Sequence, residues 1–79
     1  MSAYLLRQVS TGRYAELRPY DRAWTWLATT ARHATPVSED DASILVRLLS
    51  LPQEPVERLA DPLGRVPVRI DVFGTEETA

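Results

Sequence analysis

No cysteine occurs anywhere in this chain of 79 residues, and that absence limits what it can fold into more than any other feature. A chain so short hides only roughly 60 to 65% of the surface that its unfolded form exposes. Without disulfides or a thiolate metal cage, nothing supplements its apolar core. The expectation is one small domain of modest stability, held together by a few well-packed elements. A thiol nucleophile is excluded, and a reducing, cytoplasmic setting fits best. The opening Met-Ser-Ala-Tyr has no basic region followed by a long apolar run, and no stretch approaches the ~20 apolar residues of a membrane span. A soluble, unprocessed chain is therefore expected, with no membrane partner.

Glycine and proline divide the chain into short segments. "AYLLRQV", "STGR" and "YAELRP" read as strand, turn and strand around Gly12, with a short helix before Gly12 as the alternative, and Pro19 ends the second run. Asp21 has the chemistry of an N-cap, and the Ala-rich "RAWTWLATTARHA" propagates a helix to about residue 33. A second helix begins at Ser38, where Ser38 and Asp41 have the spacing of a capping box and Glu39, Asp40 and Asp41 complement the helix dipole. Its apolar stripe is Ala42, Leu45, Leu48 and Leu49, widened by Ile44 and Leu51, and Pro52 stops it. "PVERLAD" reads as a short third helix entered at Pro55. In "VPVRIDVF", Val66, Val68, Ile70 and Val72 alternate with Pro67, Arg69, Asp71 and Phe73, the pattern of a C-terminal strand. Residues 1–73 then form a single domain, and 74–79 form a flexible tail.

Charge is divided unevenly along the chain. Residues 1–33 carry five arginines against Glu16 and Asp21, a net +3 with histidine neutral, whereas residues 34–79 carry four arginines against nine carboxylates, a net −5. Either the two halves attract one another within the domain, or the basic half faces an acidic partner. The total of −2 makes general nucleic-acid affinity the lesser reading.

No residue pattern carries an enzyme reading. His33 is the only histidine and has no diagnostic spacing to a serine and a carboxylate, so a place beside the last carbonyls of its helix explains it better. The carboxylates of "EDD" point about 100° apart on a helix and converge poorly on a metal ion. Gly12, Gly64 and Gly74 are isolated and build no phosphate loop. No cofactor, metal or catalytic residue is expected.

The two tryptophans are the suspicious feature. On a helix Trp24 and Trp26 point about 200° apart, so one core cannot take both. Tyr20, Trp24, Leu27 and Ala31 follow the apolar stripe, which makes Trp24 the buried ring. Trp26 shares a row with Arg22, Thr30 and His33, where so large a ring is out of place. It is either a boundary residue stacked under Arg22 or an anchor for a partner. On a strand, both rings would fall on one face and this distinction would vanish.

Two local resemblances add to this reading. "ILVRLLSLPQEPVERLADPLGRVPV", about residues 44–66, resembles the opening of winged helix-turn-helix regulators, but Pro67 and a strand pattern stand where the recognition helix belongs. "YLLRQVSTGRYAELRPYDRAWTWLA", about residues 4–28, resembles the winged-helix peptide-recognition elements of ribosomal-peptide modification systems. The matching positions are Thr11, Gly12, Arg13, Tyr14, Leu17, Pro19 and Leu27. That family captures a leader peptide by strand addition, and the resemblance implies an exposed edge able to pair with another chain.

The expected architecture is α+β: an N-terminal β-hairpin, two main helices plus a short third, and a C-terminal strand completing an antiparallel sheet. The expected function is a non-enzymatic protein-binding module, such as a small regulator, inhibitor or accessory subunit, with Arg18, Arg22, Trp26 and His33 as its partner-binding residues. Its partner would be another protein of acidic character. The alternatives are a winged-helix-like nucleic-acid-binding regulator and a subunit that self-associates as a homodimer through an edge strand.

Overall fold

A computed structural model describes residues 2–18, 20 and 22–70. The expected tail at 74–79, the end of the expected strand at 71–73 and the Asp21 cap lie outside the described residues. The elements are β1 (Tyr4–Gln8), β2 (Tyr14–Leu17), β3 (Trp24–Ala28), a 3-10 turn (Ala31–His33), α1 (Glu39–Leu49) and β4 (Val56–Ala60). The strands form one antiparallel sheet in the order β3-β2-β1-β4.

The hairpin forms where Gly12 punctuates the sequence. The Gln8 N–H donates to Arg13 O and the Gly12 N–H to Gln8 O, both at 2.8 Å, while Gly12 takes a φ of 74° that glycine adopts without a Cβ clash. Direct pairing of β1 with β2 is registered at Arg7 and Tyr14. Beyond it the two strands part, and the segment 35–37 enters the fork. Val37 exchanges two backbone hydrogen bonds with Tyr4, at 2.8 and 2.9 Å, while the Thr35 N–H donates to Ala15 O at 3.1 Å and Thr35 Oγ1 accepts from the Leu17 N–H at 2.9 Å. Each parted strand thus recovers partners that it would otherwise lack.

Three sequence expectations are corrected. The helix expected to run to residue 33 is β3 followed by a single 3-10 turn. In "WTWLA" the aromatic and β-branched side chains suit a pleated surface, and β2 supplies the ladder that overrides the alanine content. The short third helix is instead β4, whose five residues fill the open side of β1 from Tyr4↔Ala60 to Gln8↔Val56. The C-terminal strand is absent over the described residues 66–70. Among the described residues, this segment donates the Val68 N–H to Pro36 O at 2.9 Å and joins no sheet ladder. Among the described residues there is therefore one helix of substance rather than two main helices and a third.

That helix, α1, begins as its residues dictate. Ser38 Oγ accepts from the Asp41 N–H at 3.2 Å, and Glu39, Asp40 and Asp41 occupy the first turn. It packs over β1 and β4. Leu6, Ala15, Val37, Ala42, Leu45 and Val56 form the core, with Tyr4, Trp24, Trp26, Val46, Leu49 and Ile70 packed against it. The buried stripe is narrower than expected, because Leu48 and Leu51 are exposed. Leu5 and Leu6 point to opposite faces of β1, yet both are 0% exposed, so the central strand is covered on both sides.

Candidate functional site

The four expected partner-binding residues do not form one row. Arg18 follows β2, half-buried, with its guanidinium 5.5 Å from the centroid of the Tyr20 ring. Arg22 is exposed in the β2–β3 loop, in a left-handed conformation with φ 57°. Trp26 lies in β3 and packs against the core beside Trp24. His33 ends the 3-10 turn, exposed, with Nδ1 3.1 Å from Thr30 Oγ1. The helical row of Arg22, Trp26, Thr30 and His33 required a helix, and the strand dissolves it.

The carbonyls that His33 was expected to serve are met by another cation. Arg65 donates from Nη2 to Ala31 O at 2.7 Å, and from Nη1 to Arg32 O at 3.0 Å and Ala34 O at 3.1 Å. Its Nε donates to Asp61 Oδ2 at 3.0 Å. Asp61, whose side chain is fully buried, also accepts from the Leu63 and Arg65 amides. The hydrogen bond from Arg65 is the main reason that the Asp61 carboxyl is held below the usual aspartate range, helped by those amides against the opposing effect of burial. One planar guanidinium thus ties the 3-10 turn to the loop after β4, a geometry that only arginine's fork of donors provides. The i, i+4 spacing of Asp61 and Arg65 was the only trace of it in the sequence.

Other charges are also paired within the fold. Arg7 Nε donates to Glu57 Oε2 at 2.7 Å across the β1–β4 register, and this bond raises the arginine pKa further. Arg58 donates to Ser43 Oγ at 2.7 Å, lies 3.9 Å from Glu39 and stacks over the Tyr4 ring at 5.3 Å. A shallow groove lies between Ser38, Asp41 and the segment 66–70. Among the described residues, no three of the His, Asp and Glu side chains are grouped to hold a metal ion, and no helix is long and apolar enough to cross a membrane.

Among the described residues the sheet ends at β3 on one side and at β4 on the other. In β1–β4 pairing, the Asp61 N–H donates to Ala3 O and the Val9 N–H to Pro55 O, which makes the odd-numbered residues of β1 the hydrogen-bonded partners of β4. Arg58 and Ala60 therefore turn their N–H and C=O groups away from the sheet. On the opposite side the Arg18 N–H donates to Ala23 O at 2.9 Å, and Thr25 registers with Glu16. By the same alternation the backbone groups of Trp24 and Trp26 face outward. A register shift between β2 and β3 follows, since Tyr14 pairs with Ala28 and Glu16 with Thr25. It places an extra residue in β3 between Thr25 and Ala28, a β-bulge. Among the described residues, the outward groups of Trp24, Trp26, Arg58 and Ala60 meet no further strand. Compared with known proteins, the chain matches no family model, no curated protein and no solved structure.

Proposed function

We propose that this protein is a non-enzymatic protein-binding module of the cytoplasm that captures an extended chain by strand addition at an open sheet edge. The observation that carries the reading is the pair of edges just described, where outward backbone groups on β3 and β4 present the donors and acceptors of an unfinished ladder. Strand addition takes its affinity from main-chain hydrogen bonds and its selectivity from side chains alternating along the edge. The Trp26 and Arg22 surface read from the sequence contributes differently from expectation. Trp26 braces β3 from the core side, and Arg22 stands exposed at the entry to the same strand, where it would steer an acidic segment.

The test places a photo-crosslinking side chain at Leu27, exposed on β3, and separately at Ala60 on β4. Amide exchange is then followed in the free and captured protein. Capture through either edge should slow exchange at Trp24 and Trp26 or at Arg58 and Ala60. A captured partner that leaves all four amides unprotected would refute strand addition.

A further inference from the structure

We infer that the chain that pairs with β3 is a second copy of β3, giving an antiparallel dimer with Thr25 on the two-fold axis. This inference rests on the strand-addition reading and selects the edge, the occupant and the register.

The two edges differ in what they tolerate. Within β4 stand Glu57 and Arg58, with Pro55 and Pro62 at its flanks, the charged and proline-bounded build that keeps an edge from pairing with its own kind. Self-pairing of β4 centred on Glu57 or Arg58 puts that charge against its own copy. Centred on Leu59, it puts Glu57 opposite Asp61. Like charges directly opposite destabilise a pair of strands, so each central register is penalised. β3 reads Trp-Thr-Trp-Leu-Ala, with no charge and no proline, and its tryptophans and threonine are types with high strand propensity.

The backbone of β3 also suits a two-fold axis. Trp24 and Trp26 direct their N–H and C=O groups outward while Thr25, between them, bonds inward toward β2. With Thr25 on the axis, Trp24 of each copy becomes a hydrogen-bonded pair with Trp26 of the other, and the two threonines form the closer, non-bonded pair about 4.5 Å apart at Cα. Thr25 meets Thr25 on the face away from α1, and tryptophan meets tryptophan on the face toward the core. Both kinds of cross-strand pair are favourable. The rings are only half-buried within one copy, so apolar area remains for the second.

Flanking charge does not oppose this register. Each Arg22 stands outside β3, three residues from the axis, so the two lie at opposite ends of the paired strands. Six residues of extended chain span roughly 20 Å at about 3.4 Å per residue, about two and a half times the screening length at physiological salt. The helix sits over β1 and β4, on the other half of the sheet. The bulge ends the regular edge after Trp26, which limits pairing to a closed two-fold contact.

The experiment is sedimentation velocity of the full chain across a concentration series, with circular dichroism confirming the fold of each variant. Wild type is expected to pass from monomer to dimer. Thr25→Lys, beside Glu16, and Thr25→Glu should each stay monomeric over the same range, since each places like charges together on the axis. An equimolar mixture of the two should recover the dimer, a rescue that an unfolded variant could not give. Ala60→Lys on β4 should dimerise as wild type does. The inference is overturned by a wild type that remains monomeric, by dimers that persist in both Thr25 variants, by a mixture that fails to recover, or by loss of the dimer in Ala60→Lys. A monomeric wild type whose Trp24 and Trp26 amides become protected by a foreign extended peptide would overturn self-pairing and leave strand addition standing.

Discussion

Gly12 and Arg22 hold the same place in two hairpin loops of one build. In each loop, a residue donates its N–H to the carbonyl five positions on, and its own carbonyl accepts from the N–H four positions on: Gln8 with Arg13 and Gly12, Arg18 with Ala23 and Arg22. The accepted residue is left-handed in both, with φ 74° at Gly12 and 57° at Arg22. Glycine takes this conformation freely, whereas any Cβ there crowds the following carbonyl at about 1–2 kcal/mol.

Arg22→Gly should therefore stabilise the fold by about 0.5–1 kcal/mol, the relieved strain less the added freedom of an unfolded glycine. Gly12→Ala should destabilise it by about 1 kcal/mol. An added Cβ at Gly12 meets no heavy atom within 4 Å, so that loss comes from the backbone alone. Urea midpoints at unchanged slope measure both effects. An Arg22→Gly midpoint at or below that of wild type would mean that the loop stores no strain.

Trp24 and Trp26 both lie against the core from one face of β3, so truncating either should be costly. Half-buried rings should lose roughly half of the 3–5 kcal/mol typical of a core Trp→Ala change, about 2 kcal/mol each. Leu27→Ala, at a side chain 66% exposed, should change stability by less than about 0.5 kcal/mol. Thermal unfolding of the three variants separates the strand from a helix, on which Trp26→Ala would be the near-neutral change.

The same contrast explains which parts of the fold were legible. At Ser38 to Leu49 the cap, the acidic first turn and the apolar spacing all indicate a helix, and no strand competes for those residues. Between Tyr4 and Leu17 the turn chemistry of Gly12 is strong enough to indicate the hairpin. In 24–28, however, Trp24, Leu27 and Ala28 also satisfy helical spacing, and only the presence of β2 alongside decides for a strand. "VERLA" is too short for periodicity to arbitrate, and its place is set by the vacant side of β1. The entry of Thr35 and Val37 into the fork has no local signature at all. The row of Arg22, Trp26, Thr30 and His33 depended on helical rotation at Trp26 and goes with the helix. Among the described residues no strand pairs beyond β3, the strand that replaced the helix.

Ser38→Ala should destabilise the protein by about 1 kcal/mol, since the hydroxyl accepts from the Asp41 amide at 3.2 Å and alanine leaves that first-turn donor without its partner. Ser38→Asp should retain most of the stability, because aspartate caps as well and complements the dipole. Chemical denaturation followed by far-ultraviolet circular dichroism measures both. Equal losses in the two variants would locate the contribution of Ser38 outside its capping bond.

Asp61 and Arg65 should make stability depend on acid pH. The folded Asp61 pKa lies below its ordinary value, so the unfolded chain takes up the proton first as pH falls. The carboxylate's contribution is then complete above the unfolded value, about 3.9, and disappears as pH drops through the folded one. Asp61→Asn should be less stable than wild type at neutral pH by about 1.5–3 kcal/mol, the range for hydrogen bonds to charged groups, and the gap should narrow steadily below about pH 4. Arg65→Lys should be destabilised as well, because an ammonium cannot span Asp61 and the carbonyls of Ala31, Arg32 and Ala34 together. Unfolding free energies of wild type and Asp61→Asn at a series of pH values provide the check. A gap between them that is constant from neutral pH to about pH 2 would show that the charge on Asp61 does not hold the 3-10 turn to the loop after β4.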